Sequence, residues 1–296
     1  MKILLIGSRG QVGQELLTTL PAIGTVIAWS RADCDLTQTQ HLVPQVLAQS
    51  PDVIVNAAAY TAVDQAEQEP GLAHQINGTV PKCLAQAAQD CGATLVHLST
   101  DYVFDGQQNR PYQPDAPTNP LGVYGQSKLA GELAVQTECD RHAILRTAWV
   151  YGTQGKGNFV KTMLRLGAER ETIKVVYDQV GCPTWSRDIA QAIVDLIPQL
   201  ETPTFGTYHF TNSGAISWYD FAIAIFEEAA DLGWPLQVET VFPITTDQYP
   251  LPAPRPAYSV LGGEKLTALR DRLPPHWRTS LRHMLKELSS SHLRHD

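Results

Sequence analysis

Three glycines near the start of the chain constrain its fold most strongly. Gly7, Gly10 and Gly13 lie between an apolar run at residues 3–6 and a helical pattern at residues 12–20. Glycine permits a tight turn, and the helix N-terminus that follows offers free N–H groups and a positive dipole end. A three-glycine pattern alone is weak evidence, but in this strand–turn–helix context it is typical of a pyrophosphate-binding loop. The sequence therefore predicts a dinucleotide site, with a plain tight turn as the alternative.

Short apolar segments alternate with helical patterns through the first half of the chain. The pattern predicts strands at residues 3–6, 25–29, 52–56, 94–98 and 143–146, and helices at residues 12–20, 41–48, 81–91 and 124–136. Continuous apolar strands separated by helices indicate a parallel sheet covered on both faces. Because crossovers between parallel strands are right-handed, we expect an α/β fold with a Rossmann-type doubly wound parallel sheet.

The second half is less regular and predicts a smaller C-terminal substrate-binding domain. Helices are expected at residues 159–166, 188–200, 218–230 and 280–289, and a strand at 208–210. Residues 242–256 hold five prolines, which argue for a long stiff loop over a cleft and against a regular helix or central strand. We expect residues 1–155 to form the cofactor domain, with 186–214 returning to it, and residues 156–185 and 215–296 to form the second domain.

Composition excludes several classes of protein. The formal net charge of −8 argues against general nucleic-acid binding, which needs a basic surface. We find no apolar segment long enough for a signal peptide or a membrane span, so no membrane partner is expected. The five cysteines are scattered without a CxxC pair, which favours reduced thiols in a cytoplasmic protein.

The end of the second predicted strand indicates which cofactor is used. An acidic residue there holds the adenosine ribose in NAD proteins, whereas arginine accepts the 2′-phosphate of NADP. This chain has Ser30 followed by Arg31, and Arg9 lies in the glycine loop. We therefore expect NADPH, with NADH possible but less favoured, and we expect Asp35 and Leu36 to flank the adenine. Arg31 as a plain surface charge is the alternative.

The residues Tyr124 and Lys128 form a YxxxK pattern at the start of a predicted helix, where positions i and i+4 share a face. A neighbouring ammonium stabilises phenolate, so we expect Lys128 to lower the pKa of Tyr124 and to suit it to acid/base catalysis. Thr100, at the end of the fourth predicted strand, is expected to bind the substrate oxygen beside Tyr124. Ser99 is the competing hydroxyl.

Seven segments together resemble the extended short-chain dehydrogenase/reductases, and in particular the members that reduce nucleotide-linked keto sugars. The resemblance covers nearly the whole chain. The segments are GSRGQVGQEL at 7–16, DVIVNAAAYTAVDQAE at 52–67, STDYVFDG at 99–106, NPLGVYGQSKLAGE at 119–132, LRTAWVYG at 145–152, DQVGCPT at 178–184 and PAPRPAYSVL at 252–261.

The resemblance implies a function and a set of site residues. It implies an oxidoreductase that reduces C4 of a dTDP-linked 4-keto-6-deoxy sugar to give dTDP-L-rhamnose. Thr100, Tyr124 and Lys128 would be catalytic, and Asp101, Tyr102, Trp149 and Arg255 would contact the sugar nucleotide, Arg255 at its diphosphate. The cofactor would be met by Gly10, Gln11 and Val12 of the glycine loop and by Ala57, Ala58, Ala59, Tyr60 and Thr61 after the third strand. Trp149 as a core aromatic is an alternative.

Other possibilities stay open at this point. An epimerase or dehydratase of the same family is one, although a dehydratase normally has an acid pair beside the threonine, and here Asp101 is followed by Tyr102. A non-catalytic NADP-binding regulatory subunit is another. A homodimer is possible. Some members hold magnesium at a subunit interface, but near Glu15 and Arg187 only Asp188 adds a carboxylate, so we predict no metal.

Overall fold

The computed structural model describes residues 1–155 and 157–292. Its strands are β1 (Lys2–Ile6), β2 (Thr25–Trp29), β3 (Val53–Asn56), β4 (Thr94–Thr100), β5 (His142–Thr147), β6 (Val150–Tyr151), β7 (Thr172–Val176), β8 (Val180–Gly181), β9 (Thr184–Trp185), β10 (Gly206–His209), β11 (Ile216–Ser217) and β12 (Thr240–Ile244). Its helices are α1 (Gln11–Thr19), α2 (Leu42–Gln49), α3 (Val63–Ala66), α4 (Pro70–His74), α5 (Val80–Cys91), α6 (Val123–Glu138), α7 (Phe159–Glu169), α8 (Ser186–Leu196), α9 (Trp218–Asp231), α10 (Glu264–Arg270) and α11 (Trp277–His292).

The largest sheet of the described residues is parallel and has six strands, five from the first half of the chain and β10 from the second. Its strand order is β10-β5-β4-β3-β1-β2, and every neighbouring pair is parallel. The order reverses next to β1, where the doubly wound fold leaves a crevice at the carboxyl ends of the strands. The predicted fold class is confirmed. The strand β10 follows α8 and pairs with β5, so the chain returns to this sheet after visiting the second region.

Both faces of the sheet are buried, which explains the continuous apolar strands. Side chains of one strand alternate between the faces. Ile3 and Leu5 of β1 pack with α1 and α8, whereas Leu4 packs on the opposite face with α2 and α5. All three side chains are completely buried. A polar residue at any of these positions would place an unpaired group in a layer without water.

The second region has its own core, built from α7, α9 and α11. Phe221 and Ile225 of α9 pack with Leu281 and Leu285 of α11, and all four are completely buried. The short sheets β7–β12 and β8–β11 lie beside this core. Among the described helices, none is both long and apolar enough to cross a membrane.

The proline-rich stretch differs from the prediction at its beginning. Residues 242–244 are not loop but the last part of β12, which pairs with β7 in parallel and places Pro243 opposite Val175. This sheet has two strands, so one side of β12 is an edge that needs no N–H donor, and proline is tolerated there. The rest of the stretch is irregular apart from one short turn of helix at Thr246–Gln248.

Candidate active site

The glycine loop joins β1 to α1 and brings backbone close to backbone. Gly7 has φ of +84°, and a Cβ there would lie 2.6 Å from the Ala58 nitrogen. A Cβ on Gly13 would lie 2.1 Å from the Gly7 carbonyl oxygen. Gly10 begins α1 and makes no side-chain cap, so the first turn at Gln11 and Val12 presents its backbone N–H groups at the end of the helix. This cradle fits a dinucleotide pyrophosphate, as the sequence predicts.

The carboxylate of Asp33 is hydrogen-bonded to Ser30 just after the end of β2. The Asp33 carboxylate accepts hydrogen bonds from the Ser30 backbone N–H at 2.8 Å and from the Ser30 hydroxyl at 2.7 Å. These bonds lower the pKa of Asp33, and Arg9 contributes further. Arg31 is exposed and lies close enough to Asp35 to add to the lowering of its pKa that hydrogen bonds from Thr37 produce. The two arginines expected at the 2′-phosphate thus each have an acidic neighbour. Leu36 packs against the core beneath.

The segment after β3, which holds Ala57, Ala58, Ala59, Tyr60 and Thr61, is fixed by two buried asparagines. Asn56 accepts a hydrogen bond from the Ala58 N–H at 3.2 Å. Asn77 accepts from the Tyr60 N–H at 2.8 Å and donates to the Tyr60 carbonyl at 3.0 Å. It also donates to the Ser127 hydroxyl of α6 at 3.0 Å. Asn77 lies in a π-helical turn, Gln75–Thr79, a distortion that is frequent at functional sites.

The three residues expected to be catalytic converge at the carboxyl edge of the sheet. Thr100 is the last residue of β4, and Tyr124 and Lys128 lie on the first turns of α6. The Thr100 hydroxyl is within hydrogen-bonding reach of the Tyr124 hydroxyl. Lys128 is buried, and its ammonium donates to the Leu98 carbonyl oxygen of β4 at 2.7 Å. The competing Ser99 hydroxyl is buried and without a partner among the described residues.

The expected effect of Lys128 on Tyr124 is wrong for this structure. Burial raises the pKa of Tyr124 to about 12, a shift that the Thr100 hydroxyl only partly opposes. The ammonium of Lys128 donates its hydrogen bond to the main chain of β4, and Lys128 is not among the causes of the shift in the pKa of Tyr124. Burial lowers the pKa of Lys128 to about 8, and the negative charge of Glu132 one turn further along α6 opposes that shift. Tyr124 is thus a protonated phenol at neutral pH.

A buried ion pair holds α6 to the sheet. Arg146 of β5 and Glu132 of α6 are 4% and 1% exposed and approach to 2.6 Å, with further hydrogen bonds from the Arg146 Nε. The pair lies one helical turn beyond Lys128. It fixes the distance between the helix that carries Tyr124 and the strand next to Thr100.

A carboxyl group lies beside the Thr100 hydroxyl. Asp101 is 2% exposed and accepts a hydrogen bond from the Thr100 hydroxyl at 3.0 Å. Its other carboxylate oxygen has no hydrogen-bond partner among the described residues. Burial raises the pKa of Asp101 to about 6, although the Ser259 and Thr100 hydroxyls lower it in part.

Tyr102 connects this edge to the proline-rich stretch. Its ring contacts the Tyr124 ring edge to face, with centroids 5.4 Å apart. Arg255 reaches the Tyr102 hydroxyl and is held by two 2.7 Å hydrogen bonds to the Asp64 carboxylate. The Ala253 N–H also donates to Asp64 at 3.2 Å. Asp64 therefore anchors the loop and orients the guanidinium that was expected at the diphosphate.

Trp149 follows β5 on the same side of the sheet. Thr147, two residues before it, is the register partner of Thr100. Trp149 has φ of +46°, an uncommon backbone conformation for a bulky residue, and its ring is partly exposed. It stacks face to face on Trp218, which is the packing that the core-aromatic alternative expects for one face of the ring.

The region around Glu15 holds a guanidinium. Arg187 Nε donates to Glu15 at 3.0 Å, and Arg187 also forms an ion pair with Glu287. Asp188 accepts hydrogen bonds from Asn212 and Ser280. No cluster of three or more candidate metal ligands occurs among residues 1–155 and 157–292. The expectation of no metal stays a prediction.

Sequence reasoning missed Asn77, Asp64 and Trp218. Asn77 left no clear signal, because it lies among other polar residues such as His74, Gln75 and Thr79. The partners of Asp64 and Trp218 are far away in the chain, and no local spacing indicates them.

Comparison with known proteins agrees with this geometry. The chain is 44% identical to dTDP-4-dehydrorhamnose reductase of Salmonella typhimurium over 294 residues, which cover 97% of this chain and 98% of that protein. The crystal structure of a dTDP-4-dehydrorhamnose reductase from Clostridium acetobutylicum is similar with a TM-score of 0.91 and 39% identity, covering 98% and 100% of the two chains. That of the Bacillus anthracis enzyme in complex with NADP has a TM-score of 0.90 and 38% identity, covering 97% and 99%.

The profile of one protein family covers almost the whole chain. It is described as the RmlD substrate binding domain, and it matches residues 1–290. The glycine cradle and the residues expected to be catalytic on β4 and α6 lie within the matched range. This chain therefore belongs to the RmlD substrate binding domain family.

Proposed function

We propose that this protein is an NADPH-dependent oxidoreductase that reduces the C4 keto group of dTDP-4-dehydro-6-deoxy-L-mannose to dTDP-L-rhamnose. The observation that carries the proposal is the convergence of Thr100, Tyr124 and Lys128 at the sheet edge beside the glycine cradle. Relatives with 44% identity over almost the whole chain are reductases of this name, and a similar structure holds NADP.

Tyr124 is the proton donor. When bound, the dihydronicotinamide of NADPH supplies the hydride that the carbonyl carbon accepts. Reduction turns the C4 oxygen into an alkoxide, which is a stronger base than phenolate. Since the pKa of Tyr124 is about 12, the phenol keeps its proton at neutral pH until the alkoxide develops beside it. Thr100 steadies the carbonyl oxygen at the Tyr124 hydroxyl and stabilises the phenolate that remains.

Lys128 completes the site with a positive charge. Its ammonium is anchored on the Leu98 carbonyl and is buried, so its field is poorly screened by solvent. We propose that this ammonium holds the nicotinamide ribose of the bound cofactor. Because its pKa is about 8, a fraction of Lys128 is neutral in mildly alkaline solution. Turnover is therefore expected to decline as pH rises through this range.

The substrate side is formed by Asp101, Tyr102, Trp149 and Arg255. Asp101 has an unpartnered carboxylate oxygen at the sheet edge, which suits a sugar hydroxyl. Trp149 offers a flat apolar face to the deoxysugar. Arg255 would supply the local positive charge that a diphosphate needs on a protein with a formal net charge of −8.

Two alternatives have less support. Epimerases and a dehydratase share the fold at 20% identity or less, a likeness that concerns the fold alone. The acid pair expected of a dehydratase is missing because Tyr102 follows Asp101. A regulatory subunit would not need Tyr124 together with the buried Lys128.

The assembly and location of the protein also remain proposals. We propose a homodimer, which rests on the family resemblance. A cytoplasmic location is proposed from the cysteines, which are free thiols in the structure.

A Tyr124→Phe variant tests the function. It should bind NADPH as the wild type does but lose turnover by roughly 10²–10⁴-fold, the usual range for a lost general acid. The assay follows NADPH absorbance with the dTDP-linked keto sugar, and NADPH binding is measured separately by fluorescence. Near-wild-type turnover in this variant would refute the assignment. A wild-type protein that oxidises no NADPH with this sugar would refute the reductase proposal itself.

A further inference from the structure

Trp149 is held by two residues of the second region. Its indole stacks on Trp218, with ring centroids 3.4 Å apart and an interplanar angle of 4°. On another side it rests on Gly181, where an added Cβ would lie 2.5 Å from the indole Cε2. A side chain at Gly181 would therefore displace the ring.

The two contacts come from one structural unit. Gly181 is in β8, and Trp218 directly follows β11, the antiparallel partner of β8. Trp218 itself is fixed as the first residue of α9, where Ser217 and Asp220 form a capping box. The Phe159 ring, 4.6 Å away, packs against Trp218 as well. Trp218 is thus a rigid platform.

Trp149 needs such support. Its φ of +46° costs free energy for a residue with a Cβ, and a conformation of this kind persists only where the surroundings hold it. The ring is partly exposed, so packing on all sides does not supply the restraint. The stack on Trp218 and the contact with Gly181 supply the restraint that holds Trp149 in this conformation.

We propose that Trp218 is a positioning residue, which fixes the Trp149 indole as the wall of the sugar site and thereby sets the affinity for the sugar of the substrate. This inference rests on the proposed function. Trp149 lies two residues after the register partner of Thr100, so it follows β5 at the same carboxyl edge of the sheet where Thr100 ends β4. Rotation of the indole would open the sugar site while Thr100, Tyr124 and Lys128 keep their places on β4 and α6.

Substitution of Trp218 should therefore change substrate affinity more than chemistry. For Trp218→Leu we expect the KM for the keto sugar to rise by about two- to tenfold, the equivalent of one aromatic pair. The KM for NADPH and kcat should stay close to wild type. Trp218→Phe keeps a flat ring and should restore most of the affinity. Gly181→Ala displaces the indole from the other side and should reproduce the Trp218→Leu effect.

Comparing the affinities for two ligands, one with the sugar and one without it, distinguishes an effect on the sugar site from an effect on the nucleotide site. Calorimetric titration with dTDP-L-rhamnose should show weaker binding to Trp218→Leu, whereas titration with dTDP alone should be unchanged. The stacked indoles also couple their ultraviolet transitions, which gives paired bands of opposite sign in far-ultraviolet circular dichroism. These bands should disappear in Trp218→Leu and change when dTDP-L-rhamnose binds to the wild type.

Phe226→Leu is the matched control, since it removes a ring from α9 that packs on Gly167. It should lower the unfolding temperature without changing the KM for the keto sugar. A wild-type KM in Trp218→Leu would overturn the inference, as would equal weakening of dTDP and dTDP-L-rhamnose. So would a Trp218→Leu profile that matches Phe226→Leu. A wild-type enzyme without NADPH oxidation would instead overturn the proposed function.

Discussion

The carboxyl group of Asp101 should cost the protein stability at neutral pH. It is 2% exposed, and one of its oxygens has no partner among the described residues. Its pKa is raised from 3.8 to about 6, with burial as the largest cause. A shift of this size corresponds to about 3 kcal/mol between the two protonation states. Replacement by asparagine removes the charge and keeps the shape.

The sign of the effect follows from the direction of the shift. The folded protein binds the Asp101 proton more tightly than the unfolded chain, so its contribution to stability is complete below pH 3.8 and is lost as pH rises through 6. Asp101→Asn should therefore be more stable than the wild type at pH 7.5. The gain should be about 1–3 kcal/mol, because the new amide N–H₂ group also lacks a partner and offsets part of it.

Urea unfolding followed by tryptophan fluorescence measures this difference. At pH 7.5 the midpoint of Asp101→Asn should be higher than that of the wild type, and at pH 4.5 the two should approach each other. Turnover of the variant should fall, since Asp101 adjoins Thr100. Asp105→Asn is the control, because hydrogen bonds from Gln107 and Asn119 lower the pKa of that carboxyl and its loss should not stabilise the protein at pH 7.5. An Asp101→Asn variant that is less stable at pH 7.5, or whose gain is independent of pH, would contradict the reasoning.

Two further predictions concern the cofactor and the placement of α6. Arg31→Ala should reduce the preference for NADPH over NADH, measured as the ratio of kcat/KM values, by about tenfold or more, the loss of one hydrogen bond to a charged group; equal kcat/KM values for the two cofactors in the wild type would refute the preference. Glu132→Gln leaves Arg146 buried without its carboxylate and should lower the free energy of unfolding by about 3–5 kcal/mol, whereas Glu138→Gln on the surface of the same helix should change it little. Because Glu132 also opposes the lowering of the Lys128 pKa, the alkaline decline in turnover should begin at lower pH in Glu132→Gln, and an unchanged pH profile would argue against that coupling.

The sheet could be predicted from sequence because local chemistry determines it. A parallel strand is buried on both faces, so it needs a continuous apolar run, and such runs were visible at β1, β3 and β4. The glycine loop could be predicted for a similar reason. At Gly7 and Gly13 the neighbouring backbone is too close for any Cβ, so only glycine fits there. The short strands of the second region, such as β8 and β11, are two residues long and carry no periodicity.

The electrostatics of the site depended on directions that spacing does not give. The i, i+4 relation placed Lys128 on the same side of α6 as Tyr124, but the ammonium turns to the Leu98 carbonyl of the strand below. Arg255 was expected at the diphosphate, and its partner Asp64 lies 191 residues earlier in the chain. Only the folded chain brings such groups together, and each decides the charge that a ligand would meet.

Three buried oxygens without a hydrogen-bond partner in the described residues lie at the carboxyl edge of β4 and β5. Ser99, Asp101 and Thr147 each have a buried oxygen without a hydrogen-bond partner in the described part of the chain, and each such atom costs about 1–3 kcal/mol. Trp149, with its positive φ, follows directly. Folding alone would favour apolar residues here, as it does along β1. A polar ligand that supplied the missing partners would return part of this cost on binding, which supports the proposal that the substrate binds at this edge.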